Sequence, residues 1–298
     1  MDAECYALFS PVFTPVIAAL HPAFRATPEW RHQIMVPEVD VESLHDPDPT
    51  NEFIKAVRIS TGRNLVGVGL GPSMDHEERL LVLRAVDKAI GAAECFSNND
   101  TAGRDLQYVY TEESMERDLN GMGFLPWGSP NDPQGLQVPA ALKDDWPEDR
   151  GVWFEGFQMV VWVNAEEHLQ VISTEEIGPD TGSPTVCHAA AVALERVSTA
   201  LSQLGRQLDY ETSDKLGYIT TSPALLGTAM RVSLVMTGLE RVSKRPDFVS
   251  LCDSLGLEVC PCPRLLMGDL MLQSKGTLGV SEAQAIRDTL TGVRKLVG

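Results

Sequence analysis

The chain has 298 residues with 43% hydrophobic and 22% charged content, enough for one large globular domain, or one domain with an appendage, around a sizeable core. Lys and Arg number 24 against 42 Asp and Glu, a formal charge of -18 that repels polyanions outside a local basic pocket and excludes nucleic acid as an expected partner. The six cysteines (Cys5, Cys95, Cys187, Cys252, Cys260, Cys262) are too dispersed for a disulfide-stapled secreted fold, and no apolar run is long enough to insert into a membrane, so the expectation is a soluble intracellular protein, cytoplasmic by default.

The start, Met1-Asp-Ala-Glu-Cys5, lacks the basic residues and apolar core of a signal peptide, although a cleaved targeting segment would leave no trace. Over residues 4–20, Tyr6, Phe9, Phe13, Val16, Ile17 and Leu20 recur as in an amphipathic helix, but Pro11 and Pro15 interrupt the run, which predicts short helices or turns. The acidic, proline-rich stretch 37–50 reads as a connector and divides the chain into 1–50 and 51–298. Asp75–Ile90 predicts a helix with Leu80, Leu83, Val86 and Ile90 on one face, whereas Gly121–Pro147 has little periodicity and reads as loop. Val160–Val163, Gly217–Thr221 and Val232–Met236 are β-rich apolar runs and predict buried strands. Further helices are predicted at Ala190–Leu204, at Pro246–Leu255, and after a capping box at Ser281–Gln284 that continues through Ile286, Leu290 and Val293. Strands followed by helices in this order predict α/β or α+β layering. Cys260-Pro-Cys262 is too short and isolated for a metal site, and Gly67-Val-Gly-Leu-Gly71 lacks the surroundings of a dinucleotide loop. Trp146, Trp153 and Trp162 are expected in the core.

Three blocks carry a family likeness. Residues 51–67 contain Arg58-Ile-Ser-Thr-Gly-Arg63, which resembles Arg-Val-Arg-x-Gly-Arg of the phosphagen (guanidino) kinases. Trp146-Pro-Glu-Asp-Arg-Gly151 and Val161-Trp-Val-Asn-Ala-Glu-Glu-His-Leu-Gln-Val-Ile-Ser173 resemble that family's Trp-Pro-x-x-Arg-Gly and Val-Trp-Val-Asn-Glu-Glu-Asp-His-Leu-Arg-Ile-Ile-Ser. Gly217–Ser233 resembles its Cys-Pro-(Ser/Thr)-Asn-Leu-Gly-Thr-x-x-Arg-Ala-Ser block. The resemblance implies an α+β fold, the guanidino-kinase catalytic domain, with an antiparallel sheet flanked by helices over 51–298. It also implies that 1–50 is a truncated remnant of the helical N-terminal region plus connector.

The chemistry implied is phosphoryl transfer between Mg-ATP and a guanidino compound such as arginine or creatine, which depends on cations caging the phosphates and holding the reactants in line. Arg58 and Arg231 match two arginines of that cage, and Arg264 is displaced by about one position from a third. Ser60 and Gln170 replace two more, and neither side chain supplies the charged, bidentate bonds of a guanidinium. Glu166 matches the carboxylate that holds the guanidino substrate and is the candidate catalytic residue, while Ala165 replaces its neighbour and Ser222 stands in the place of the reactive cysteine. Gly123 and Val235 stand where histidines lie near the purine. Arg58 and Arg231 also fit a structural role as ion-pair partners of Glu166 or Asp149, and His168 that of a packed strand-end histidine. The expected function is therefore a degenerate phosphagen-kinase-like domain, a pseudoenzyme kept as a structural subunit with other proteins of a larger assembly and using no cofactor. The alternative is an active ATP:guanidino phosphotransferase that takes Mg-ATP or ADP.

Overall fold

Eight strands form one antiparallel sheet, in which successive side chains of a strand point to opposite faces and one face is buried against helices. The computed structural model describes residues 2–27, 29–32, 44–96, 107–108, 149–155, 158–178, 181–239, 243–260 and 270–297. In chain order the strands are β1 (Ile54–Arg63), β2 (Gln107–Tyr108), β3 (Gly151–Glu155), β4 (Met159–Val163), β5 (Leu169–Glu176), β8 (Met230–Met236), β9 (Leu257–Cys260) and β10 (Leu270–Ser274). Their order across the sheet is β2-β3-β4-β5-β1-β8-β10-β9, so β1 occupies a central position between β5 and β8. Two further strands, β6 (Thr212–Ser213) and β7 (Gly217–Tyr218), pair separately.

One face of the sheet is the core. Val57 and Ile59 of β1, Leu169 and Val171 of β5, Val232 and Leu234 of β8 and Leu272 of β10 are buried there. The helices α3 (His76–Ala92), α4 (Val186–Leu204), α5 (Phe248–Ser254) and α6 (Glu282–Val297) cover that face, with α4 across β1 and β5 and α6 across β8, β9 and β10. The apolar stripe expected on α4 is buried at Ala190, Leu194, Val197, Leu201 and Leu204, and the helix begins a turn earlier because Thr185 caps it by accepting from the His188 N–H. On α3 the reciprocal capping box is formed by Asp75 and Glu78. At α6 Ser281 Oγ accepts from Gln284 N as in the expected box, while Gln284 Oε1, the acceptor of its other half, takes a bond from Arg287 Nη1. Trp153 lies in the core edge-on to Phe96, and Trp162 is buried from the opposite face of β4; Trp146 is outside the described residues.

Short helices form at the start as expected, but Pro15 does not interrupt its helix, and Gly217–Thr221 differs from the expected strand. The proline-interrupted start folds as α1 (Cys5–Leu8) and a continuous α2 (Ser10–Leu20) that runs through Pro15. Pro15 forfeits only the bond to the Pro11 carbonyl, and both prolines are exposed, so water can satisfy that oxygen. Gly217–Thr221 is not a buried strand of the main sheet: β7 ends at Tyr218, because the next backbone groups bond side chains. Ile219 O accepts from Asn64, Thr220 O from Tyr6, and Thr221 N donates to Glu167.

Candidate functional site

Alternation along β1 turns Arg58 and Ser60 away from the core, and the pairing register assembles their neighbours. Arg58 faces Thr174 on β5 and Ser233 on β8; Ser60 faces Ile172 and Arg231; Gly62 faces Gln170. Beyond β8, Ser233 faces Gln273, which in turn faces Glu258 on β9. Arg58, Ser60, Gln170 and Arg231 thus lie on one side of the sheet, the open face away from the core helices, where Arg58 and Trp162 are nonetheless buried. Arg264 lies outside the described residues, as do Gly123 and most of the expected loop 121–147.

Arg231 is held by a group that the family motifs do not contain. Its Nη1 lies 3.1 Å from Glu258 Oε2 and 3.3 Å from the Ser274 carbonyl. The side chain of Glu258 is 47% exposed and that of Arg231 only 17%, so the carboxylate sits on the solvent side of the guanidinium. Asp149 is not its partner: that carboxylate bonds His76 Nδ1 at 2.6 Å and lies 3.5 Å from Arg79 Nε. The sequence signal for Glu258 is the alternation in Leu257-Glu-Val-Cys260, which turns it opposite to buried Leu257. Gln170 is half-buried, and its Oε1 is shielded from solvent with no hydrogen-bond donor among the described residues. A glutamine in this place neither supplies positive charge nor completes its own bonding.

Glu166 lies in the turn between β4 and β5, after Asn164, whose φ of 56° starts the reversal. Asn164 holds that strained backbone by donating to the carbonyls of Arg79 and Asp149. Burial pushes the Glu166 carboxyl above the usual carboxylate range, and the charge of Arg231 opposes that rise. The Glu166 carbonyl accepts from Thr221 Oγ1 at 3.1 Å, which ties this turn to the residue before Ser222. Ser222 caps a single 3-10 turn, Pro223–Leu225, with its Oγ accepting from Ala224 N at 3.4 Å.

The next two residues of the turn face inward. Glu167 is buried and accepts from Thr221 N with both oxygens, at 3.0 and 2.9 Å, and from Asn64 Nδ2 at 2.5 Å. Burial first, and then the neighbouring Glu166 charge, push its carboxyl up to about 8. Gly62 allows the approach, since a Cβ there would stand 2.8 Å from Glu167 Cγ. His168 is fully buried: Nδ1 accepts from Leu65 N at 2.9 Å and Nε2 donates to Gly69 O at 2.7 Å, which defines a neutral ring whose pKa burial lowers to about 4. It is the packed strand-end histidine expected from the sequence. Arg63 is also internal, with its guanidinium 3.4 Å from the Tyr218 ring centroid and its Nη1 bonded to the Thr228 and Gly62 carbonyls. Val235 is buried beside Ala56 on the open face.

Residues 101–298 match the ATP:guanido phosphotransferase C-terminal catalytic domain. The chain is 28% identical over 308 residues to an arginine kinase of Anthopleura japonica, covering 99% of this chain and 39% of that protein. It is 29% identical over 305 residues to a probable arginine kinase of Caenorhabditis elegans, covering 99% of this chain and 71% of that one. The fold superposes on the duplicated taurocyamine kinase of Schistosoma mansoni, solved with transition-state-analogue components, with a TM-score of 0.74 and 25% identity over 99% of this chain and 39% of that one. The chain thus spans about two-fifths of the Anthopleura and Schistosoma proteins.

Proposed function

From the premise that this chain belongs to the ATP:guanido phosphotransferase family, we propose that it has lost phosphoryl transfer and serves as a structural subunit within a larger protein assembly. The observation that carries this reading is the state of Arg231: the uncharged Ser60 stands directly opposite it and the Glu258 carboxylate lies 3.1 Å from it. Transfer of a phosphoryl group depends on fixed positive charge around the phosphates, and losing one such stabiliser costs roughly 10²–10³ in rate. Here two cage positions, Ser60 and Gln170, are uncharged, and a third cation already has an anionic partner. The Glu258 carboxylate beside Arg231 opposes an anionic Mg-nucleotide at this point, which supports the reading without a nucleotide. No reaction step is assigned through it.

The second reading, an active ATP:guanidino phosphotransferase using Mg-ATP, is favoured by one observation: Glu166, the match to the guanidinium-holding carboxylate, is only partly buried and lies in the field of Arg231. Taurocyamine and arginine, named for the relatives above, are then the first guanidines to test. Coupled ADP release is measured over arginine, creatine and taurocyamine. Background rates are expected, and turnover near the ~1–100 s⁻¹ of kinases would establish the second reading instead. Calorimetric titration with Mg-ADP shows whether nucleotide binds without turnover.

We assign 51–298 to the catalytic-type domain and 1–50 to an N-terminal remnant with connector, since the central strand β1 precedes residue 101, where the family match begins. The intracellular reading rests on the free thiols of the five described cysteines. Among the described residues no helix is long and apolar enough to cross a membrane.

A further inference from the structure

A cavity of about 320 Å³ lies between α6, the end of β10 and the turn that follows α5. Small-molecule pockets span ~300–1,000 Å³, so this one suits a ligand at the small end of that range. Two glycines shape it. Gly292 brings α6 against the turn, since a Cβ there would stand 2.8 Å from the Leu255 carbonyl. Gly256, at a φ of 74°, turns the chain aside and leaves open space where a Cβ would be.

The walls combine three chemistries. Lys275 and Lys295 supply positive charge: the bond from Lys275 to Asp253 uses one of three ammonium donors, and no carboxylate pairs with Lys295 among the described residues. Asp288 supplies a carboxylate, which accepts from Gln284 Nε2 at 2.6 Å and pairs with no cation among the described residues. The hydroxyls of Ser254, Thr289 and Thr291 each donate at 2.7 Å to a carbonyl of their own helix, so towards the cavity they offer only lone pairs. Leu255, Val280 and Ala285 add an apolar wall. Asp288 and Lys295 both line the cavity seven residues apart, about 10 Å along α6, and a lysine stem leans back towards the start of its helix. A plain anion here meets Asp288 and the hydroxyl lone pairs, and a plain amine meets two ammonium groups. A ligand that suits every wall carries one anionic group, one group with several N–H donors and an aliphatic portion. We propose that this cavity binds an aliphatic α-amino acid. Its carboxylate lies towards Lys275 and Lys295, its ammonium towards Asp288 and the hydroxyls, and its side chain against Leu255, Val280 and Ala285.

Calorimetric titration of the full 298-residue chain with L-leucine tests this, alongside ligand-observed NMR. Saturable binding is expected with a dissociation constant below about 1 mM. Isoamylamine, which lacks the carboxylate, and isocaproate, which lacks the ammonium, should each bind at least about 10-fold more weakly. Lys295→Glu and Asp288→Asn, both at exposed positions, should each weaken leucine binding about 10-fold, and Asp288→Asn should also narrow the gap between leucine and isocaproate. Thr291→Trp fills the cleft from an exposed helix position and should abolish binding with circular dichroism unchanged. Absence of L-leucine binding up to about 10 mM by both methods overturns the proposal. So does isoamylamine, isocaproate or inorganic phosphate binding as tightly as leucine, or leucine binding that Lys295→Glu and Asp288→Asn leave unchanged. The proposal stands apart from the loss of phosphoryl transfer, since no variant touches Arg58, Arg231 or Glu166.

Discussion

The turn that follows β4 and the open face of the sheet beside it differ in where their polar side chains find partners. In the turn, Glu167 and His168 bond the protein itself, through Asn64, Thr221, Leu65 and Gly69. On the open face, Gln170 Oε1 has no donor among the described residues, Ser60 faces a cation it cannot complement, and Arg231 leans on the half-exposed Glu258. The family motif is kept where its side chains hold chain segments together: Gly62, Arg63 and His168 match it, and all three are internal. The residues that depart from the motif the resemblance implies, Ser60, Gln170 and Ser222, lie outside that network, and the shielded Gln170 Oε1, without a donor among the described residues, is a polar atom the fold carries unpaired.

The sharpest test of that contrast is Asn64→Ala. Removing the amide leaves the Glu167 carboxylate, the Ile219 carbonyl and the His168 N–H without their shared partner in a buried site. A loss of roughly 3–5 kcal/mol in urea unfolding is expected, against less than about 0.5 kcal/mol for Ser60→Ala on the open face. Equal costs at the two positions would remove the distinction.

The turn should also set part of the acid sensitivity. His168 has a folded pKa of about 4, below the 6.5 of a free imidazole, so the unfolded chain takes up a proton that the folded chain refuses. Its contribution is present above pH 6.5 and is lost as the pH falls towards 4, to a total of about 3 kcal/mol at 1.36 kcal/mol per unit. Burial lowers His21 and His32 as well, and they act in the same direction. Unfolding measured from pH 7 to 4 should flatten partly in His168→Asn, and an unaltered profile would mean that the ring does not stay neutral in the fold.

A small stability effect, about 1 kcal/mol or less, is expected on the open face from Ser60→Arg with Gln170→Arg and Glu258→Gln. These changes place two guanidinium groups beside Arg231 and remove its anionic partner, so mutual repulsion lowers the melting temperature slightly and bound Mg-ADP restores it. Calorimetry should detect Mg-ADP binding in this variant before any turnover, which requires more than charge. A folded variant that binds Mg-ADP no better than the parent would show that the face differs in more than its charges.

Local pattern was enough for most elements. The stripe of α4 and the β-rich apolar runs of β4 and β8 identified these helices and strands, because periodicity and β-propensity act between near neighbours in the chain, while Arg58, Ser60, Gln170 and Arg231 came from the motif resemblance. What required the tertiary structure were meetings between distant segments. Glu258 reaches Arg231 only because β10 lies between β8 and β9. Asn64 joins Glu167 to Ile219 across more than a hundred residues, which ends β7 early and turns a predicted strand into a loop. The burial of Ile17 together with the exposure of Val12 and Val16 likewise depended on which side of α2 the sheet's loops cover. Hydrogen bonds and ion pairs of this range are decided by the register of strands far apart in sequence, and no local window of the chain contains both partners.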